Sequence, residues 1–115
     1  MDDIALVVGI LQSAFPTVPV STEVPATRPT RLITVDLTAD ESDEFIHRPT
    51  ISLYVWGTSD ADAHGLAVSA FHALVDAAKT HDLLSSAALQ TMARDEWSGT
   101  GQARYLVQID LVINT

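Results

Sequence analysis

Between Pro49 and Lys79 the chain passes from one hydrophobic period to another. Ile51, Leu53 and Val55 alternate with Ser52, Tyr54 and Trp56, the period of two expected of a strand with one buried face. The other face of that strand is amphipathic and aromatic. Gly57 and Thr58 end it, and Ser59 with Asp62 three residues on makes a capping-box-like helix start. Asp60 and Asp62 also suit the positive end of a helix dipole. From there to Lys79, Ala63, Leu66, Ala67, Ala70, Phe71, Leu74, Val75 and Ala78 recur at helical spacing and predict one buried stripe. Because half of them are alanines the stripe is thin, which lets the helix lie close on a sheet.

The rest of the chain is placed against this stretch. Asp2 to Phe15 predicts a first helix, with acids in its first turn and Pro16 closing it. Ile4, Leu6, Val7, Val8, Ile10 and Leu11 lie nearly all round that helix, so it is either sandwiched in the core or offers half its surface to a partner subunit. Val18 to Val24, interrupted by Pro19, fits an edge or irregular strand. After the turn-forming Pro25 to Thr30, Leu32, Thr34 and Asp36 alternate with Ile33, Val35 and Leu37 in a further strand. The acidic run from Thr38 to Glu44 is predicted as a mobile loop between two antiparallel strands.

A polar connection from Thr80 to Ser86 leads to a hairpin, in which Ala87 to Trp97 and Gln102 to Asn114 flank the turn Ser98 to Gly101. In its second strand Tyr105, Val107, Ile109, Leu111 and Ile113 alternate with Arg104, Leu106, Gln108, Asp110 and Val112. The order is α-β-β-β-α-β-β. It predicts one α+β domain over residues 1–115, an antiparallel or mixed sheet of four to five strands with helices packed on one face.

Composition narrows the function classes. A length of 115 residues supports one core without staples. The absence of cysteine excludes disulfides and thiolate metal sites, which suits an intracellular or virion-internal protein. Fifteen acidic against six basic residues give a formal charge of −9, a field that repels phosphates and argues against ordinary nucleic-acid binding. No apolar run approaches the roughly 20 residues of a membrane span. The chain opens on aspartates where a signal peptide carries positive charge, so neither a membrane nor export is expected.

Few residues invite chemistry. His64 and His72 lie eight apart on the predicted helix, roughly 12 Å by its rise, too far to share one zinc. Asp60 with His64, and His72 with Asp76, are spaced as ordinary charge pairs on a helix surface. The acids Asp40, Glu41, Asp43 and Glu44 could hold a cation, but the Asp/Asn-Gly geometry of a calcium loop is missing and a solvated loop is the plainer reading. There is no nucleophile elbow and no glycine-rich phosphate loop. No catalytic residue, metal or cofactor is expected, and the chain does not read as an enzyme. Arg28, Arg31, Arg48, Arg94 and Arg104 fall at strand ends or adjoining loops. They either pair with the carboxylate excess on the surface or carry complementary charge across a subunit contact. Trp56 and Trp97 both end strands beside glycine-containing turns, as core residues or as interface anchors.

Three blocks, RPTRLITVDLT, ISLYVWGTSDADAHGLA and SGTGQARYLVQIDLVI, together resemble the tail terminator, or tail completion, proteins of long-tailed bacteriophages and prophages. With the first helix they cover nearly the whole chain; the acidic stretch Asp40 to Glu44 departs from the pattern. The resemblance implies an α/β fold with a mixed or antiparallel sheet, in a structural virion protein that forms a homohexameric ring. The ring caps the tail tube, ends its polymerisation and docks on the head connector or stopper. DNA passes through its lumen without specific binding. It further implies a place at the head-proximal end of the tail, after assembly in the host cytoplasm, with no cofactor and no membrane. Arg28, Arg31, Arg48, Trp56, Arg94, Trp97 and Arg104 are then the candidate interface residues, and Asp40, Glu41, Asp43 and Glu44 the candidates for an acidic lumen or loop. The rival readings are another neck component, such as a head-side stopper or adaptor, and a small-ligand-binding α+β domain using a cleft between sheet and helix.

Overall fold

The computed structural model describes residues 3–27, 29–41, 43, 46–95 and 102–114. Its elements are α1 (Asp3–Ala14), β1 (Val20–Ser21), β2 (Leu32–Asp40), β3 (Ile46–His47), β4 (Pro49–Trp56), α2 (Asp60–Thr80), β5 (Leu84–Arg94) and β6 (Arg104–Asn114). The expected α+β class and the mixed sheet are both present. β4 is the central strand, antiparallel to β2 from Leu32↔Trp56 to Asp40↔Pro49 and to β6 from Trp56↔Arg104 to Thr50↔Asp110. β5 pairs with the other side of β6, and β1 runs parallel to β2 at Val20↔Ile33 and Ser21↔Thr34.

The short β3 is a continuation of β4. Its pairs Ile46↔Asn114 and His47↔Ile113 keep the register that β4 holds with β6, so the two are one long strand interrupted at Arg48. Counted this way the sheet has five ranks, with β1 and β5 at its borders.

Both helices lie on one face, α1 over β1 and β2, α2 over β4, β5 and β6. The alternation explains why. Ile51, Leu53 and Val55 of β4, Ile33 and Val35 of β2, and Val107, Ile109, Leu111 and Ile113 of β6 all point to that face. They meet Val7 and Leu11 of α1 and Leu66, Ala67, Ala70 and Leu74 of α2. Each large apolar side chain removed from water here contributes roughly 1.5–3 kcal/mol. Ser59 caps α2 with extended backbone (φ −153°, ψ 171°), its hydroxyl accepting from the Asp62 amide at 3.1 Å. The all-round apolar character of α1 resolves into a buried ridge, Val7 and Leu11, flanked by half-buried Ile4, Leu6, Val8 and Ile10.

Two expectations are corrected. The acidic run Thr38 to Glu44 does not form a loop from its start: Thr38–Asp40 belong to β2. Beyond them the Glu41 amide donates to the Arg48 carbonyl at 3.1 Å and the Asp43 amide to the Ile46 carbonyl at 3.0 Å. The strand continues because β3 and β4 satisfy its backbone, while its side chains, exposed on both faces from Asp36 onward, need no core. Likewise β5 begins at Leu84 and not at Ala87, since Leu84 inserts fully into the core opposite Ile113. The turn expected at Ser98 to Gly101 lies outside the described residues. Its base is in place, with the Asp95 amide donating to the Arg104 carbonyl at 2.8 Å.

Candidate assembly surface

The sheet face turned away from the helices is where the remaining chemistry collects. Register sets its rows: Leu32, Trp56 and Arg104; then Thr34, Tyr54 and Leu106; then Asp36, Ser52 and Gln108; then Thr50 and Asp110. The first row is closed to solvent at its β2 and β4 positions. Trp56 is 1% exposed and Leu32 fully buried, although no helix covers them. The Arg104 guanidinium lies 4.8 Å from the centre of the Tyr54 ring and 5.4 Å from that of Trp56, within the range of cation–π attraction. It is fixed there by Asp95, through Nη2 to the carboxylate at 2.7 Å and Nε to the main-chain oxygen at 3.2 Å.

The later rows are polar. The Thr38 and Ser52 hydroxyls hydrogen-bond to one another, and the Thr50 hydroxyl donates to Asp110 at 2.6 Å. Toward the far end Glu41, Arg48, Thr50, Gln90 and Asp110 line a shallow hollow. There Arg48 pairs with Asp43 at 3.2 Å, and Asp43 also accepts the Ile46 amide at 2.8 Å, pinning the end of the β2–β3 arm.

Two further arginines converge on the start of α2. Arg31 faces Asp62 at 3.3 Å and Arg94 faces Asp60 at 3.2 Å. Asp62 is the hub: the Thr58 amide donates to its carboxylate at 2.9 Å. That backbone hydrogen bond holds its pKa below the ordinary carboxylate value, with the Arg31 charge assisting and partial burial opposing. Gly57 sits in the same corner because a side chain there would meet the Ala63 main chain.

Each candidate can now be placed. Arg31, Arg94 and Arg104 share the pole where β4 meets α2, and Arg48 stands at the opposite pole; all four hold carboxylates of their own chain. Trp56 is enclosed. Asp40, Glu41 and Asp43 run along the arm. Arg28, Glu44 and Trp97 lie outside the described residues. Sequence reasoning missed Tyr54 and Asp95 as the partners of Arg104, because the spacing of neither residue marks it; the cross-strand register does. Among the described residues no three His, Cys, Asp or Glu come together to hold a metal, and no helix is long and apolar enough to cross a membrane.

No family model matches the chain, and no curated protein sequence does. Among solved structures the chain is similar to one from the virion of a native gene transfer agent particle, with a TM-score of 0.56 at 18% identity. The match covers 96% of this chain and 86% of the other. The likeness is one of fold. At this coverage it extends over nearly the whole chain and is not confined to a fragment.

Proposed function

We propose that the protein is a structural virion component that acts as a tail terminator: it assembles into a ring, six copies in the reading the resemblance implies. The ring caps the tail tube at its head-proximal end, stops its growth and joins the head connector or stopper. The observation that carries this is the whole-chain likeness of fold to a protein of a gene transfer agent virion. The three sequence blocks that resemble tail terminators supply β2, β4 with the start of α2, and β6, which are neighbours in the sheet. They therefore describe one surface and not three separate coincidences.

The polar face of the sheet suits a lumen. Asp36 and Asp110 on it, with Asp40, Glu41 and Asp43 along the arm, repel a phosphate backbone, so DNA slides past without being held. The ligand-binding alternative has less support, because the space between sheet and helices is filled by the core. An apolar hollow lies instead against α1, between Leu6, Ile10 and His81.

Mass measurement of the purified protein, alone and with its tail-tube protein, tests the reading. Annular oligomers and tubes of arrested length are expected; a monomer that leaves tube growth unchanged refutes it. Arg31→Glu, checked for folding by thermal unfolding, should weaken ring formation if this half-exposed guanidinium reaches a neighbouring subunit as well as Asp62. Full assembly of the variant at parental concentration removes Arg31 from the contact.

A further inference from the structure

The two borders of the sheet are open in different ways. β5 is an eleven-residue border strand, and among the described residues no strand pairs with its outer side. A border of this length is an invitation to strand addition, and proteins ordinarily blunt it with lysine, other charges or proline. From Leu84 to Ala93, LSSAALQTMA, β5 carries none of these, in a chain with 21 charged residues. Bulges near Ser85 and Gln90 bend it but leave Ser86–Leu89 and Thr91–Arg94 regularly paired with β6. At the other border β1 covers only Ile33 and Thr34 of β2, so among the described residues no strand pairs with the outer backbone of β2 from Val35 to Ala39. The residues from Asp36 to Asp40 are exposed on both faces.

We infer that the outer edge of β5 pairs with the outer edge of β2, between Val35 and Ala39, in a second copy of the same chain. The second copy is the occupant argued for because each copy carries both missing halves of the contact. Charge selects the same arrangement. Two molecules at −9 repel, and the β5 border is a long stretch of surface backbone that brings no carboxylate to meet Asp36 and Asp40 of its neighbour. The two edges are different surfaces, so the contact is head to tail. It closes into a ring when its rotation closes, and forms a filament otherwise. This rests on the ring proposed above and names its joint.

The absence of cysteine makes a direct test simple. Leu89→Cys protein and Leu37→Cys protein, two exposed positions on the helix side of the sheet, mixed in equal amounts with a short bis-maleimide, should give a mixed cross-linked dimer. Cross-linking of Leu89→Cys to itself alone indicates β5 against β5 and overturns the inference. A second variant, Ser86→Glu with Thr91→Glu, places carboxylates on the side of β5 away from the helices, the side on which β2 carries Asp36. It should fold normally and lower the association constant at least about tenfold, with partial recovery at high salt. In the parent, β5 amides should exchange more slowly as oligomers form. Rings that form equally well in the double variant overturn the joint and leave the terminator reading standing. Oligomers that cross-link as expected but do not arrest tubes support the joint and refute that reading. A parent that stays monomeric alone and with tube protein refutes both.

Discussion

Replacing Gly57 by alanine should destabilise the protein, whereas the same change at Gly65 should stabilise it. A methyl group at Gly57 would lie 2.4 Å from the Ala63 nitrogen, 2.7 Å from its Cα and 2.9 Å from Asp62 Oδ2. The nearest two obstacles are main chain, so no rotamer change relieves them and the first turn of α2 must lift from the end of β4. Overpacking of this kind costs roughly 1–3 kcal/mol, and the shift would also stretch the hydrogen bond from Thr58 to Asp62. We therefore expect about 2–3 kcal/mol, a fall in Tm of about 10 °C at roughly 4 °C per kcal/mol for a chain of this size. At Gly65, on the exposed side of the same helix, an added methyl meets nothing within 4 Å. Alanine there should add roughly 0.5–1 kcal/mol by helix propensity and by restricting the unfolded chain. Urea unfolding followed by tryptophan fluorescence and circular dichroism reads both variants, with the m-value expected to stay constant. Equal signs for the two substitutions, or a Gly57→Ala variant within about 0.5 kcal/mol of the parent, would refute the close approach of β4 and α2.

Asp62 has a lowered pKa in the folded state, so the stability it contributes is complete above the ordinary carboxylate pKa of about 3.9 and is lost as the pH falls through its folded value. Asp62→Asn should accordingly lower stability at neutral pH and flatten the acid limb of the stability curve; parallel acid limbs in parent and variant would contradict this. Ser59→Ala, which removes the α2 cap, should cost about 1 kcal/mol in urea unfolding, and no measurable change would show that the cap is dispensable. Arg104→Met keeps an apolar stem over Tyr54 and Trp56 but loses the Asp95 ion pair, and should cost roughly 1–3 kcal/mol with a change in tryptophan emission; unaltered emission would separate Arg104 from the indole. Duplex DNA should not be retained in a gel shift at physiological salt, and a micromolar complex that weakens with added salt would refute the argument from charge.

What the sequence conveyed depended on whether a signal was local. The alternation in β4 and β6 and the helical stripe of α2 identify the buried faces almost residue by residue, since Ile51, Leu53, Val55, Val107, Ile109, Leu111 and Ile113 are all fully buried. The Ser59 cap was legible for the same reason. The outward extension of β2 was not, because Thr38–Asp40 have loop composition and continue the strand through backbone pairing to a partner strand. The surroundings of Arg104 were equally hidden: Tyr54 and Asp95 reach it through register, which no single segment specifies. Each described arginine at the candidate site has a carboxylate partner in its own chain, a pattern that composition made plausible but could not assign.

The way β4 joins its two neighbours also has a consequence for how the chain reaches this structure. Its pairing with β2 closes a nearby hairpin, and β5 with β6 closes another, whereas β4 and β6 unite residues as far apart as Thr50 and Asp110. Local pairs form cheaply and early; distant ones require the intervening chain to be ordered first. The two hairpins should thus exist as fluctuating halves before the sheet does, with α2 as the tether whose docking aligns them. Substitutions at the seam, such as Leu53→Ala or Val107→Ala, should slow refolding, while changes along the β2–β3 arm should act mainly on the rate of unfolding.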